Sequence, residues 1–264
     1  MTDQEQRFDG LAQLLGGDAS ARLRRAHACV VGLGGVGSWA AEALARSGVG
    51  RITLVDPDVV CVTNTNRQAH ALDPTVGQLK VEAMAARVRM INPDLRVDPI
   101  PARFEAETAA RILATSYDCL VDAIDDAANK CRLIAGCRQR QIPIVISGGA
   151  GGRVDPTRVR VDDLAFTSHD RLLAQVRASL RADYGFPRGQ TAFGVPCVHS
   201  TEPPGLAPES SLDGSAQNRA QPLPGAPRGG YSNLGTAVFV TGVFGFTLAA
   251  LAVRRIAAAT ARAG

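Results

Sequence analysis

Short apolar runs alternate with amphipathic stretches over the first 150 residues of the chain. The runs have the length of buried strands, and the stretches between them repeat apolar side chains at helical spacing, as at Val81, Met84, Val88 and Ile91. Such alternation is typical of a parallel sheet with crossover helices, so the sequence predicts an α/β fold. The predicted strands are 27–32, 51–56, 95–100, 117–124 and 142–147.

The pattern changes after Gly149. Two short strands are predicted around a turn at Asp155-Pro156-Thr157, so we expect the mainly parallel sheet to be continued by antiparallel strands. A helix over 170–184 and a strand over 191–200 follow. Residues 201–230 are rich in Pro, Gly and Ser and predict a flexible loop, because they cannot bury enough apolar surface to offset chain entropy.

Residues 234–253 carry no charge and are long enough to span a bilayer. Gly235, Gly242 and Gly245 favour close helix packing instead, so we predict a buried helix and keep membrane association as the alternative. Arg254, Arg255 and Arg262 follow this segment and are candidates for contacts with the phosphates of a nucleic acid. The predicted domain organisation is a helical extension at 1–25, one domain at 26–200, the loop at 201–230, and a helix at 231–264 that packs on the same domain.

Composition narrows the class of protein. The hydrophobic share of 45% is that of a globular chain, and the net charge of +4 permits an RNA partner without requiring one. The N-terminal residues have no apolar signal-peptide core, so we expect a cytoplasmic protein. The six cysteines form no C-x-x-C pair, which argues against structural zinc. Nearly all basic residues are arginine, and the only lysines are Lys80 and Lys130.

A glycine-rich turn follows the first predicted strand. Gly32, Gly34 and Gly37 fit G-x-G-x-x-G, with Gly35 inside the motif, and a second strand ends at Asp56. In a nucleotide-binding βαβ unit, the glycines bring the backbone close to phosphates and the acidic residue accepts hydrogen bonds from the ribose. The motif alone does not separate NAD from ATP.

Donors suited to a triphosphate follow in the next loop. They are Asn64, Asn66, Arg67 and Gln68, with Lys80 at the start of a helix. Charge stabilisation at the phosphates is what an adenylating enzyme requires. The alternative is that these residues form a capped polar loop and that Lys80 lies on a solvated helix face. We also expect Lys80 to be exposed, so that its replacement by alanine leaves the fold intact.

Carboxylates follow the fourth predicted strand. Ligands of open parallel sheets bind beyond the carboxyl ends of the strands, so Asp125 and Asp126 are candidates to hold Mg²⁺. An N-cap of the next helix is the alternative for Asp126.

Together these motifs resemble the E1-like adenylating superfamily. The run VVGLGGVGSWAAEALARSGVGRITLVDPDVV and the strand VDAIDD resemble the superfamily. CVTNTNRQAHAL, INPDLRV, SGGAGGRVDPTRVRVDDLA and CVHSTEPP resemble its tRNA threonylcarbamoyladenosine dehydratase branch. The resemblance implies a Rossmann-like E1-type adenylation fold and ATP-dependent cyclisation of threonylcarbamoyladenosine in tRNA. It also implies ATP with Mg²⁺, a homodimer, a tRNA partner, and a cysteine desulfurase's sulfur-acceptor protein as a further candidate partner.

The resemblance assigns roles to individual residues. Arg67, Lys80 and Asp125 carry the catalytic and phosphate contacts, and Asp125 is the candidate metal ligand. The residues implied to bind ATP are Gly32, Gly34, Gly35, Gly37, Asp56, Asn64, Asn66, Arg67, Gln68, Lys80, Asp125 and Asp126.

The chain departs from the superfamily at three places. The zinc-binding cysteine pairs are missing, and Gly229-Gly230-Tyr231 stands where relatives have a cysteine before the last helix. We therefore expect no essential cysteine, with Cys197 the one to test. The arginine that reaches the partner subunit's ATP aligns with Gly10, and Arg7 and Arg22 are alternatives.

Other functions stay open at this point. The runner-up is adenylation of the C terminus of a ubiquitin-like sulfur carrier. An NAD-dependent oxidoreductase is supported by the glycine motif alone, and a silent nucleotide-binding module is a third alternative.

Overall fold

A computed structural model describes residues 2–205 and 234–259, and its centre is a seven-stranded sheet. The strand order is β3-β2-β1-β4-β5-β7-β6, in which every neighbouring pair is parallel except β6 with β7. The predicted α/β fold with a mainly parallel sheet and an antiparallel end is confirmed. The strands are β1 His27–Val31, β2 Arg51–Val55, β3 Arg96–Ile100, β4 Cys119–Asp122, β5 Ile144–Ser147, β6 Val159–Asp163 and β7 Pro196–Ser200.

The predicted hairpin around Asp155-Pro156-Thr157 is wrong. Only its second strand forms, and Asp155 caps a short 3-10 helix, Pro156–Arg158, by accepting a hydrogen bond from the Thr157 amide. The antiparallel partner of β6 is β7, with Val161 opposite Val198. The strand predicted over 191–200 starts only at Pro196.

Helices cover both faces of the sheet. One apolar core lies between the sheet and α3, α4 and α8, and a second lies between the sheet and α5, α6 and α7. Side chains alternate between these cores along each strand, so that Val30 belongs to the first and Cys29 to the second. The helices are α1 Asp3–Leu15, α2 Gly17–Arg25, α3 Gly37–Arg46, α4 Lys80–Ile91, α5 Ala106–Ile112, α6 Ala127–Gln139, α7 Arg171–Asp183 and α8 Val238–Ala258.

The last helix, α8, packs against α2, α3 and the sheet. Its buried side chains, among them Phe244, Leu248 and Ile256, belong to the first core. By length and hydropathy α8 is also the one helix of the described residues able to cross a membrane, and 56% of its most apolar window is buried in the protein. The buried side chains of α8 lie on the face that meets α3 and the sheet.

Some predicted features lie outside the described residues. They are residues 206–230 of the predicted loop, the Gly229-Gly230-Tyr231 segment, and Arg262.

Gly245 sets the distance between α8 and α3. A Cβ atom at this position would lie 2.6 Å from the Val36 carbonyl oxygen and 2.7 Å from the Trp39 Cβ. We predict that Gly245→Ala destabilises the protein by about 1–3 kcal/mol, because the two helices must separate. Thermal unfolding of the purified protein measures the loss.

Gly242 provides the matched control three residues earlier in α8. A Cβ atom there has only the Phe246 ring as a neighbour, at 3.9 Å. Gly242→Ala should therefore be neutral or stabilise by up to about 1 kcal/mol through helix propensity. Equal effects of the two substitutions would contradict the close packing of α8 on α3.

His70 makes stability depend on pH. Its ring is buried and neither nitrogen has a partner among the described residues. Burial, with Lys80 and Arg87 acting in the same direction, lowers its pKa from 6.5 to about 4. The folded protein therefore holds the imidazole neutral while the unfolded chain binds a proton, so stability present above pH 6.5 is lost as the pH falls toward 4.

We predict that His70→Leu removes this component. Wild type should lose about 2 kcal/mol more than the variant between pH 7.5 and pH 5, at about 1.4 kcal/mol per pH unit below 6.5. Urea unfolding of both proteins across this range measures the difference. Parallel stability curves would contradict the prediction.

Candidate active site

The glycine turn joins β1 to α3 at the carboxyl edge of the sheet. Gly32 has a φ of 90°, and a Cβ atom there would lie 2.8 Å from the Ala123 carbonyl oxygen of the loop after β4. At Gly37, the first residue of α3, a Cβ atom would overlap the Gly32 carbonyl oxygen. Both positions require glycine for close backbone contact. Gly34 and Gly35, like Gly32, line an open cavity, whereas Gly37 lies beneath the turn.

Asp56 holds the turn from the end of β2. Its Oδ2 accepts a hydrogen bond from the Leu33 amide at 2.6 Å, and its Oδ1 accepts one from the Asp58 amide at 2.9 Å. The side chain is buried but borders the cavity. Burial raises the pKa of Asp56, and the nearby Lys80 charge opposes that rise.

Lys80 is buried, with 6% of the residue exposed, which corrects the expectation of an exposed lysine. It begins α4, and its Nζ lies 2.8 Å from Asp58 Oδ2 and 3.9 Å from Asp56 Oδ1. The sequence predicted the helix start but missed Asp58, whose side chain is 56% exposed in the cavity wall. Two carboxylates therefore keep this cation in place at the cavity.

The loop 64–68 forms part of the cavity wall. The Asn64 carboxamide accepts a hydrogen bond from the Cys61 amide, and Gln68 is buried with an Oε1 that has no partner among the described residues. Both line the cavity. Trp39 fixes the loop to α3, because its indole nitrogen donates to the Arg67 carbonyl oxygen at 2.9 Å.

A hydrogen bond joins the side chains of Arg67 and Asn66. The Arg67 Nη1 donates to Asn66 Oδ1 at 2.9 Å and to the Thr63 carbonyl oxygen at 2.8 Å. Asn66 Nδ2 donates in turn to the Thr236 carbonyl oxygen at 2.8 Å, just before α8. The carboxamide of Asn66 thus ties the loop to the chain leading into α8 and orients the guanidinium. Burial lowers the pKa of Arg67 from its usual value.

The two carboxylates after β4 have different surroundings. Asp125 is exposed and lines the cavity. Asp126 is the N-cap of α6, since its Oδ1 accepts a hydrogen bond from the Asn129 amide at 2.7 Å, and it is not among the residues that line the cavity. The described residues hold no cluster of three or more potential metal ligands. Asp125 is therefore the better placed of the two to meet a ligand in the cavity.

Sequence reasoning missed part of the cavity wall. The cavity has a volume of about 840 Å³, and its wall includes the segments after β3 and β5 and the chain that leads into α8. The rule that ligands of parallel sheets bind beyond the carboxyl ends of the strands could have predicted the first two segments. No sequence signal places the third, because its contact with Asn66 spans 170 residues. The missed lining residues include Asp58, Arg103, Asn129, Gly148, Gly149 and Thr236.

This arrangement suits a large anionic ligand. Backbone amides of a glycine turn lie at the start of a helix, and two cationic side chains, Arg67 and Lys80, stand on the same cavity as the exposed carboxylate of Asp125. Helix N-termini and cations stabilise phosphate oxygens, and the cavity is large enough for a nucleotide together with a second small group.

Comparison with known proteins agrees with this chemistry. The sequence profile of the ThiF family matches residues 9–260. The tRNA threonylcarbamoyladenosine dehydratase of Escherichia coli is 46% identical over 261 residues, covering 98% of this chain and 96% of that protein. A molybdopterin-synthase adenylyltransferase of Salmonella typhimurium is 37% identical over 153 residues, covering 57% of this chain and 61% of that protein.

A solved structure extends the match to three dimensions. The crystal structure of the Escherichia coli dehydratase in complex with ATP has a TM-score of 0.85 and 43% sequence identity to this chain. The match covers 100% of this chain and 99% of that one. The chain therefore belongs to the ThiF family and, within it, to the tRNA threonylcarbamoyladenosine dehydratases.

Proposed function

We propose that the protein is an ATP-dependent, E1-like enzyme that dehydrates threonylcarbamoyladenosine in tRNA to its cyclic form by adenylating a carboxylate. The observation that carries the proposal is one cavity in which a glycine turn, the cations Arg67 and Lys80, and the exposed carboxylate of Asp125 meet. The near-complete match to dehydratases, one of them in complex with ATP, supports the same reaction.

The first step requires stabilised phosphates. ATP would bind with its phosphates on the turn of Gly32, Gly34 and Gly35 and with its ribose near Asp56. The threonyl carboxylate of the substrate attacks the α-phosphorus, an oxygen–phosphorus bond forms, and pyrophosphate leaves. Arg67 and Lys80 would neutralise the charge that develops on the phosphate oxygens.

The second step uses a nucleophile of the substrate. The carbamoyl group attacks the activated carbonyl, loses a proton, and AMP leaves as the carbon–oxygen bond breaks. The enzyme then contributes positioning more than a nucleophile of its own. Consistent with this, Cys197 is buried in the second core, and burial raises the pKa of its thiol far above the usual range.

Mg²⁺ fits the donors that the site presents. This ion is commonly bound by one or two carboxylates together with phosphate oxygens, and Asp125 offers one free carboxylate beside the proposed phosphate position. Bound there, Mg²⁺ would neutralise charge on the triphosphate. Asp126 would act indirectly, by capping α6 and fixing the loop that carries Asp125.

A homodimer is the proposed assembly. The helix α8 exposes two apolar rings, Phe239 and Phe246, at 53% and 50% of their surfaces, and the Phe246 ring lies edge-on to Trp39 of α3. A second copy of the chain would cover these apolar rings. The candidate subunit-crossing arginines have partners in their own chain: Arg22 donates to the Ala257 carbonyl oxygen and Arg7 to the Ile91 carbonyl oxygen. Sedimentation of the purified protein measures the assembly.

The tRNA partner follows from the proposed substrate. Arg254 and Arg255 are exposed and remain candidates for phosphate contacts. They lie 13 residues beyond Thr241 of the cavity wall, roughly 20 Å along α8, so they would meet the tRNA away from the modified nucleoside. A soluble, cytoplasmic protein is the proposed form, because α8 buries much of its apolar surface in the protein.

The alternative functions have less support. A ubiquitin-like sulfur carrier as acceptor is supported by an adenylyltransferase that matches 57% of this chain, against 98% for the dehydratase. NAD does not require the cations Arg67 and Lys80. A sulfur-acceptor protein stays an expectation, since no surface feature that we identify in the described residues favours it.

The reaction product tests the proposal. Purified protein is incubated with ATP, Mg²⁺ and tRNA carrying threonylcarbamoyladenosine, and the nucleosides are analysed under conditions that do not hydrolyse a labile cyclic product. We expect the cyclic nucleoside with ATP and the unchanged one with NAD or without nucleotide. Unchanged nucleoside in the ATP reaction, from protein shown to be folded, would contradict the proposal.

Lys80→Ala tests the role of this cation at the phosphates. We predict that turnover falls by two orders of magnitude or more, because a cation at the phosphates is lost. Stability should also fall by about 1–3 kcal/mol, since Asp56 stays buried without its compensating charge. Single-turnover assays and thermal unfolding measure the two effects. Turnover close to that of wild type would argue against a phosphate role for Lys80.

A further inference from the structure

The second lysine of the chain forms a fully buried ion pair beside the site. Lys130 of α6 and Asp122 at the end of β4 are both completely buried, and Lys130 Nζ lies 2.8 Å from Asp122 Oδ1. Asp122 Oδ1 also accepts a hydrogen bond from the Ile124 amide at 3.0 Å, whereas Oδ2 has no partner among the described residues. Neither side chain lines the cavity.

Stability alone is a weak reason for this pair. Desolvating two charges costs several kcal/mol for each ion, and apolar replacements of buried pairs are often neutral or stabilising. Burial raises the pKa of Asp122, and the Lys130 charge opposes that rise. The pair therefore calls for a role beyond core packing.

The pair fixes the loop that carries Asp125. The Asp122 carboxylate binds the Ile124 amide at one side of the loop, and Asp126 caps α6 at the other. The Ala123 amide, between them, donates to the Val31 carbonyl oxygen, and a Cβ atom at Gly32 of the glycine turn would lie 2.8 Å from the Ala123 carbonyl oxygen. The buried ion pair thus holds the loop that carries Asp125.

We propose that Lys130 and Asp122 are positioning residues for the adenylation site, where they hold the loop 122–126 so that Asp125 faces the phosphates. This inference rests on the proposed function. Composition supports it, since the chain uses arginine nearly everywhere and has lysine only at Lys80 and Lys130. Lys80 pairs with Asp56, just after β2, and Lys130 pairs with Asp122, the last residue of β4. The compact ammonium suits a fully enclosed position, where a planar guanidinium needs more room.

The double variant Asp122→Asn/Lys130→Met tests the role, because it removes both charges and leaves no unpaired ion in the core. At saturating ATP and tRNA we expect the single-turnover rate to fall about 10- to 100-fold, as small displacements of reacting groups do. ATP affinity should change less than threefold. Amide hydrogen exchange of residues 122–126 should become faster, a readout that needs no turnover.

Glu42→Gln is the matched control. Glu42 is a buried carboxylate of α3 that pairs with Arg46 and Arg87 and does not line the cavity. This variant should lower the unfolding temperature and leave the single-turnover rate unchanged. A double variant that folds and keeps the wild-type rate overturns the proposal, and so does unchanged hydrogen exchange of residues 122–126.

A double-mutant cycle with Asp125→Asn asks whether the pair acts through Asp125. Combined in one protein, the substitutions should lower the rate no further than Asp125→Asn alone. Losses that multiply overturn the proposal. If the double variant does not fold, Lys130→Met alone takes its place, because a buried Asp122 carboxyl can take up a proton and then leaves no unpaired ion in the core. We expect an intermediate rate, and a wild-type rate would overturn the proposal. Wild-type protein is assayed in parallel. If it forms the cyclic product, the proposed function stands, and a wild-type rate in the variant then counts against the positioning role alone.

Discussion

The close contact between the glycine turn and the loop after β4 is the constraint on which the site depends. Gly32 adopts a positive φ so that its backbone can lie against the Ala123 carbonyl oxygen. Any side chain there would push the β4 loop away and move Asp125 with it. The parallel pairing of β1 with β4 brings the two segments together. Buried carboxylates then hold them: Asp56, which follows β2, holds the turn, and Asp122, at the end of β4, holds the loop.

The buried charged side chains of this protein therefore hold backbone segments in position. Lys80 and Lys130 each stand beside a carboxylate that also binds backbone amides at the end of a strand. An isolated buried carboxylate takes up a proton and no longer attracts those amides as strongly. Lys80 and Lys130 oppose the rise in pKa that burial causes at Asp56 and Asp122. Both carboxylates hold backbone segments at the cavity, where Asp125 remains an exposed carboxylate.

Much of the fold and part of the site could be predicted from local patterns in the sequence. The strands β1 to β5, the glycine turn and the start of α4 at Lys80 all follow from short-range periodicity and turn chemistry. Burial of Lys80 did not, because it depends on Asp58 and on packing across the sheet edge. The wrong hairpin has a similar cause, since β6 pairs with a strand more than 30 residues later. The contact of Asn66 with the chain before α8 likewise has no local signature.

The central claim is that the substrate carboxylate attacks the α-phosphorus of ATP in this cavity. Substrate tRNA labelled with oxygen-18 in the threonyl carboxylate tests it most directly, because the attacking oxygen stays on phosphorus when the carbonyl is released. Mass spectrometry of the nucleotide products should find one heavy oxygen atom in AMP and none in pyrophosphate. Unlabelled AMP, or label in inorganic phosphate with ADP as the other product, would contradict the account.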